Sequence, residues 1–284
     1  MSRLPYCKNS VVITSRDMYI AALCRRLTWS TCYAKPTAWN IKNKISKSMS
    51  NFKTLFGIES SVIQKTCVVV PYLMPGILKA LGIEGLKKGK LYATANADAF
   101  TFMKAGIGAL LVGDAILYLE ETNCQEIIYF GSCGLVQETG QLTIGSLVCP
   151  KACLSFESFT DTILRHTNKI TTQYPDQTLF QPFLTHDPGQ KIQPVIGMSI
   201  GSLKCEEAYK EFFGEKGIEV IDMECSAFFS AAQYIKRKAV ALLYVTDVIG
   251  KKSFFEPLEL QDKLQIDYAI QTACKVIRSF YKER

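Results

Sequence analysis

The sequence predicts an α/β protein: a single domain of three layers, α/β/α, in which helices cover both faces of a central mixed sheet. Three observations carry that expectation. Short β-branched and aromatic runs alternate with glycine-rich turns and with segments of helical apolar spacing. Ala239 to Val245 is a continuous apolar run, the pattern of a strand covered on both faces. Asp262 to Tyr281 carries Leu264, Ile266, Ala269, Ile270, Ala273, Val276 and Ile277 at helical spacing, which marks an amphipathic closing helix.

The elements begin after residue 48. Phe52 to Ile58 is expected as a short helix, and Thr66 to Val70, closed by Pro71, as a buried strand. Pro75-Gly76 opens a helical stretch to Leu81. Gly89 to Thr94 and Ala99 to Lys104 follow as strands, the second ending in Ala105-Gly106-Ile107-Gly108. Ala109 to Leu119 has helical spacing, and Glu126 to Phe130 is a strand running into the glycine-rich turn Gly131-Ser132-Cys133-Gly134. Beyond Leu147-Val148-Cys149, the polar and aromatic stretch Ser155 to Asp187 has the composition of a loop or lid over a site. Val195 to Ile200 resumes strand character and Lys204 to Phe213 reads as a helix. Val220-Ile221 is then interrupted by Asp222 and Glu224, a helix covers Ala227 to Tyr234, and Asp247 stands just past the last apolar strand.

Charge is unevenly placed along the 284 residues. The net charge is +7, yet nine of the 33 basic residues and one of the 26 acids fall within residues 1–48. The body, 49–284, is left near neutral, so no nucleic-acid surface is expected. The acid-poor segment 1–48 fits a presequence, an over-extended start before Met49, or an ordered arm that docks on the domain 49–284. No apolar run reaches the roughly 18 residues of a membrane span. The eleven cysteines form no CxxC pair and no zinc-like spacing, so we expect reduced thiols, a cytoplasmic setting unless 1–48 directs organelle import, and no metal.

Parallel sheets bind ligands beyond the carboxyl ends of their strands, so Glu224 and Asp247 are expected at one crevice. Taken singly, each has a structural reading: Asp222 caps a helix, Glu224 favours its dipole, and Asp247 caps a turn. The amides and hydroxyl of Gly131-Ser132-Cys133-Gly134 suit an anion or a sugar oxygen, or only a tight turn.

Four motifs in order resemble the nucleoside phosphorylase and nucleosidase superfamily. They are Ala105-Gly-Ile-Gly108, Phe130-Gly-Ser-Cys-Gly-Leu135, Asp222-Met-Glu-Cys-Ser-Ala227 and Val245-Thr-Asp247. The resemblance implies a nucleoside phosphorylase-like fold and cleavage of the N-glycosidic bond of a purine-type nucleoside. It implies that Glu224 accepts from the ribose hydroxyls with Met223 under the sugar, and that Asp247 is the general acid at purine N7. Gly108, Gly131 and Ser132 would contact substrate, Ser132 facing the nucleophile, with Phe156 and Phe159 as a wall beside the base. It also implies a homodimer or larger ring, and inorganic phosphate as co-substrate if the reaction is phosphorolysis.

Two departures bear on the nucleophile. The family's phosphorylases carry a GDPxR-like first loop and an arginine before the GS turn; here the loop is Pro71-Tyr-Leu-Met-Pro-Gly76 and Tyr129 takes the arginine's place. Arg165 is then the one plausible arginine for phosphate. The nucleosidase glutamate of that loop is missing as well. The departures favour hydrolysis, since water needs less dedicated charge than phosphate. Phosphorolysis, and a nucleoside-binding protein without turnover, stay open.

Overall fold

A computed structural model of the chain describes residues 51–186, 189, 191–253 and 256–282, all within the unit Lys47–Arg284; the expectations for 1–48 lie outside the described residues. In chain order the elements are helix α1 (Phe52–Phe56), strand β1 (Thr66–Val70), α2 (Ile77–Ala80), β2 (Lys87–Lys88), β3 (Ala93–Asn96) and β4 (Thr101–Lys104). Then come α3 (Ala109–Leu117), β5 (Glu126–Leu135), β6 (Leu147–Phe156), α4 (Phe159–Ile163), β7 (Thr172–Gln173) and α5 (Gln177–Thr185). The last are β8 (Ile192–Ile200), α6 (Lys210–Glu215), β9 (Val220–Asp222), α7 (Cys225–Tyr234), β10 (Lys238–Val248) and α8 (Leu260–Lys282).

The strands form one mixed sheet in the order β10-β6-β8-β9-β5-β1-β4-β3-β2, and β10 pairs again with β5. That second pairing closes β5, β10, β6, β8 and β9 into a ring, with β1, β4, β3 and β2 as a flange beside it. β5 and β10 run parallel over most of their length and are buried almost throughout, which is why Ala239 to Val245 reads as unbroken apolar sequence. Helices α5 and α8 pack against β10, and α3 packs on α7. A second, smaller cluster of buried side chains, including Phe156, Met198, Ile200, Tyr209, Phe213 and Ile221, lies where β6, β8 and β9 end.

Strand direction positions the site. β1, β4, β5 and β10 point one way, while β6, β8 and β9 point the other. Near its end, β5 meets β9 antiparallel, Gly134 opposite Ile221 and Leu135 opposite Val220. The stagger of these two sets makes their carboxyl ends overlap rather than lie on opposite rims.

Several expectations are corrected. Gly131-Ser132-Cys133-Gly134 is no turn: β5 continues through it to Leu135, and neither glycine has a positive φ. The stretch from Ser155 is structured rather than a loop, holding the end of β6, α4, β7 and α5, whose start is capped by the Asp176 carboxylate on the Thr178 amide at 2.9 Å. The strand expected over Gly89 to Thr94 begins only at Ala93. Lys204 to Phe213 is broken into two 3₁₀ turns, Leu203–Cys205 and Glu207–Tyr209, followed by α6. Asp247 lies inside β10 rather than past it.

Candidate active site

The stretch Val220 to Tyr234 builds one half of the site. β9 ends in Asp222, whose Oδ2 accepts from the amides of Glu224 at 3.2 Å and Cys225 at 2.6 Å, capping α7. Its Oδ1 accepts from Ser199 Oγ at 2.5 Å, and that oxygen accepts from the Ser226 amide at 2.9 Å, tying β8 to α7. Glu224 is thereby fixed as the residue that enters the helix. Its Oε1 accepts from the Gly108 amide at 2.6 Å and its Oε2 from Tyr129 Oη at 3.0 Å. Gly108, the residue before α3, has φ 104°, a conformation that favours glycine.

Burial pushes the Glu224 carboxyl up to about 7, with the Asp222 charge adding to it, while the Gly108 and Tyr129 donors oppose the shift. Asp222 is raised as well, again by burial.

The other half comes from β10. Its register against β5 slips between Val245, opposite Cys133, and Asp247, opposite Gly134, so Thr246 is an extra residue. Such a bulge breaks the in-out alternation, and both Thr246 and Asp247 open onto the cavity. Asp247 Oδ1 accepts from Thr246 Oγ1 at 2.7 Å. Burial raises its carboxyl pKa, with that hydroxyl acting against the shift. A Cβ at Gly134 would stand 2.6 Å from Asp247 Oδ2. Any larger residue there would push that carboxylate aside.

These groups line an inner cavity of 100 Å³ that joins an outer cleft of 760 Å³ through Ile107 and Met223, which face both. Glu224, Ser132 and Tyr72 line the inner cavity together with Asp247, Glu206 and Leu203. Tyr72 Oη donates to Ser132 Oγ at 3.0 Å and lies 3.2 Å from Tyr244 Oη, a run of three hydroxyls. Gly108, Phe156 and Phe159 line the outer cleft, Phe156 buried with its ring edge-on to Tyr209, and Phe159 largely exposed.

Three expected site residues stand elsewhere. Tyr129 is fully buried behind the site and gives its hydroxyl to Glu224 instead of facing a nucleophile. Gly131 is outside the cavity lining: a Cβ there would meet the Tyr129 ring at 2.8 Å, so its smallness accommodates that tyrosine. Arg165 lines neither compartment; at φ 57° it ends the α4 segment with its guanidinium 6.0 Å from the Tyr209 ring centroid. Sequence reasoning missed Tyr72 and Glu206. Tyr72 lay in the Pro71 to Gly76 loop, where an acid was sought and a hydroxyl stands. Glu206 had no local signal, being one of two adjacent acids in an expected helix.

Among solved structures, the chain is similar to an AMP nucleosidase from Bacteroides thetaiotaomicron at 15% identity and TM-score 0.60, covering 81% of this chain and 96% of that one. A 5'-methylthioadenosine/S-adenosyl homocysteine nucleosidase from Campylobacter jejuni gives 15% and 0.60, covering 75% and 96%. A purine nucleoside phosphorylase from Toxoplasma gondii gives 16% and 0.61, covering 80% and 95%. Likeness at these identities speaks for the fold. No curated protein matches the chain significantly by sequence. The family model described as the phosphorylase superfamily matches residues 92–281, which hold Gly108, Ser132, Glu224 and Asp247, and the chain belongs to that superfamily.

Proposed function

We propose that the chain cleaves the N-glycosidic bond of a purine-type nucleoside, with water as the nucleophile. The observation that carries this reading is the inner cavity itself. Glu224, held by two donors, and Asp247, a carboxyl whose burial favours the proton it must give away, line the same cavity of 100 Å³. In this reading Glu224 accepts from the ribose hydroxyls over Met223. Asp247 protonates the base as the C1′–N bond breaks and its electron pair leaves with the base; a water oxygen bonds to C1′, and the proton that the water loses passes to solvent and restores Asp247. Phe156 and Phe159 flank the base from the outer cleft.

Hydrolysis is favoured by what lines the nucleophile side. The inner cavity presents hydroxyls and carboxylates, with no lysine or arginine among its described lining residues, and such a surface repels a phosphate dianion while holding a water. Incubation with a nucleoside panel, with and without inorganic phosphate, distinguishes the outcomes. Free ribose at a rate independent of phosphate is expected; ribose 1-phosphate means phosphorolysis, and stabilisation by nucleosides without turnover means a binding protein. Asp247→Asn is expected to lower kcat by about 10²-fold or more, consistent with loss of a general acid, while the melting temperature is kept. Unchanged release of free base by that variant removes Asp247 from the mechanism.

A further inference from the structure

We infer that Glu206 and Asp247 act together on the edge of the leaving base, one carboxyl donating to N7 and the other accepting from an exocyclic amino group, so that the chain takes 6-aminopurine nucleosides. The inference rests on the functional reading above and deepens it by naming the base. Glu206 sits at the break between the two 3₁₀ turns, Leu203–Cys205 and Glu207–Tyr209, and this break directs it into the cavity that Asp247 lines. The two also border a side pocket of 220 Å³ with Leu203, Lys204 and Glu207. Glu206 is half-buried, and among the described residues no hydrogen bond or ion pair holds its carboxyl. A carboxyl that faces the cavity with no protein partner is available to hydrogen-bond a ligand there.

The surroundings are acidic. The titratable groups facing the pair are Asp222 and Glu224 from β9 and the start of α7, Glu207 and Lys204 from its own turns, Cys133 from β5 and Tyr72 from the loop after β1. Lys204 is exposed, and Lys210 on α6 gives its ammonium to the Ile249 carbonyl at 3.0 Å. Burial, then the Asp247 charge, then Glu207, push the Glu206 carboxyl up to about 7. Burial raises Asp247 as well, and two carboxyls facing one cavity favour a state with one proton between them over a doubly charged one, as like charges at one site do.

One proton gives the pair one donor and one acceptor. Adenine presents the complementary pattern on this edge, N7 accepting and the 6-amino group donating, whereas a 6-oxopurine presents two acceptors. Binding the oxo base would require a second proton on the pair. The assignment holds whichever carboxyl carries the proton in the free protein. On cleavage, the shared proton passes to N7 as the base departs, and the amino group stays on the remaining carboxylate.

The test compares adenosine with inosine, and adenine with hypoxanthine. The wild-type chain at pH 7.5 is expected to favour adenosine in kcat/KM by about 10²-fold or more, the scale at which a site built for a hydrogen bond rejects the mismatched partner. Lowering the pH to 5.5 shifts the pair towards its protonated forms and is expected to narrow that ratio. In Glu206→Gln, whose amide can turn either a donor or an acceptor to the base, the adenosine-to-inosine ratio in kcat/KM is expected to fall to within about tenfold at pH 7.5. A purely structural role lowers both substrates equally and leaves the ratio flat with pH, and either result overturns the inference, as does a wild-type preference for inosine. Should no nucleoside be cleaved, the functional reading falls by itself, and calorimetry with the free bases still decides: adenine bound at least about tenfold tighter than hypoxanthine supports the pair, while equal or absent binding sinks it.

Discussion

Glu224 is the residue on which structure and chemistry compete. Its carboxyl is raised to about 7 from an ordinary 4.5, so between those values the folded chain binds more protons than the unfolded one. Stability from this group is therefore fully present below about pH 4.5 and is lost as the pH rises through 7. Glu224→Gln keeps an acceptor for the Gly108 amide and removes the titration. We expect the variant to be more stable than wild type at pH 8, on the order of 2 kcal/mol, with the difference vanishing near pH 4. Urea denaturation at the two pH values measures it. Equal stability at pH 8 shows that the hydrogen bonds from Gly108 and Tyr129 already compensate the buried charge. Tyr129 illustrates the same competition at a neighbouring position, its hydroxyl spent on Glu224 rather than on a ligand.

At the scale of elements, two irregularities place the acids. The bulge at Thr246 turns Asp247 into the cavity, and Gly134 on the paired strand leaves it room. Gly134→Ala puts a methyl group 2.6 Å from Asp247 Oδ2 in a strand whose backbone any residue adopts. Loss of activity on the order of 10²-fold is expected, as for a misplaced catalytic group, with a cooperative unfolding transition retained. Kinetics beside a melting curve read both, and an active Gly134→Ala variant means Asp247 is not needed where it stands. The second irregularity is the broken helix around Glu206. The 3₁₀ turns on either side of residue 206 advance each residue by about 120° rather than the roughly 100° of an α-helix, so the side chains take directions that a continuous α-helix over Lys204 to Phe213 would not give them.

For the whole molecule, the ring of β5, β10, β6, β8 and β9 brings distant segments to one place. β10 is its busiest strand, joined to β5 and β6 and covered by α5 and α8. Leu242, fully buried and paired with Phe130, sits at its middle. Truncation there leaves a cavity between layers too well packed to collapse, so Leu242→Ala is expected to cost about 3 kcal/mol. A midpoint shift in urea checks this, and a loss under about 1 kcal/mol means the ring repacks easily.

Much of this was legible along the chain. The apolar run Ala239 to Val245, the closing helix and the Asp222 cap depend on residues within one or two turns of each other, and near neighbours in sequence interact whatever the rest of the chain does. Glu224 and Asp247 were marked the same way, as acids at the ends of apolar strands. The tertiary structure decided what crosses between strands. Gly131 and Gly134 looked like turn glycines because glycine serves both flexibility and space, and only the partners, the Tyr129 ring and the Asp247 carboxylate, show that space is the reason. Arg165 was named by elimination from composition, which says nothing of direction, and the end of α4 carries it away from the cavity. Glu206 joins Asp247 through a closed sheet and a phase break, and a one-dimensional pattern records neither.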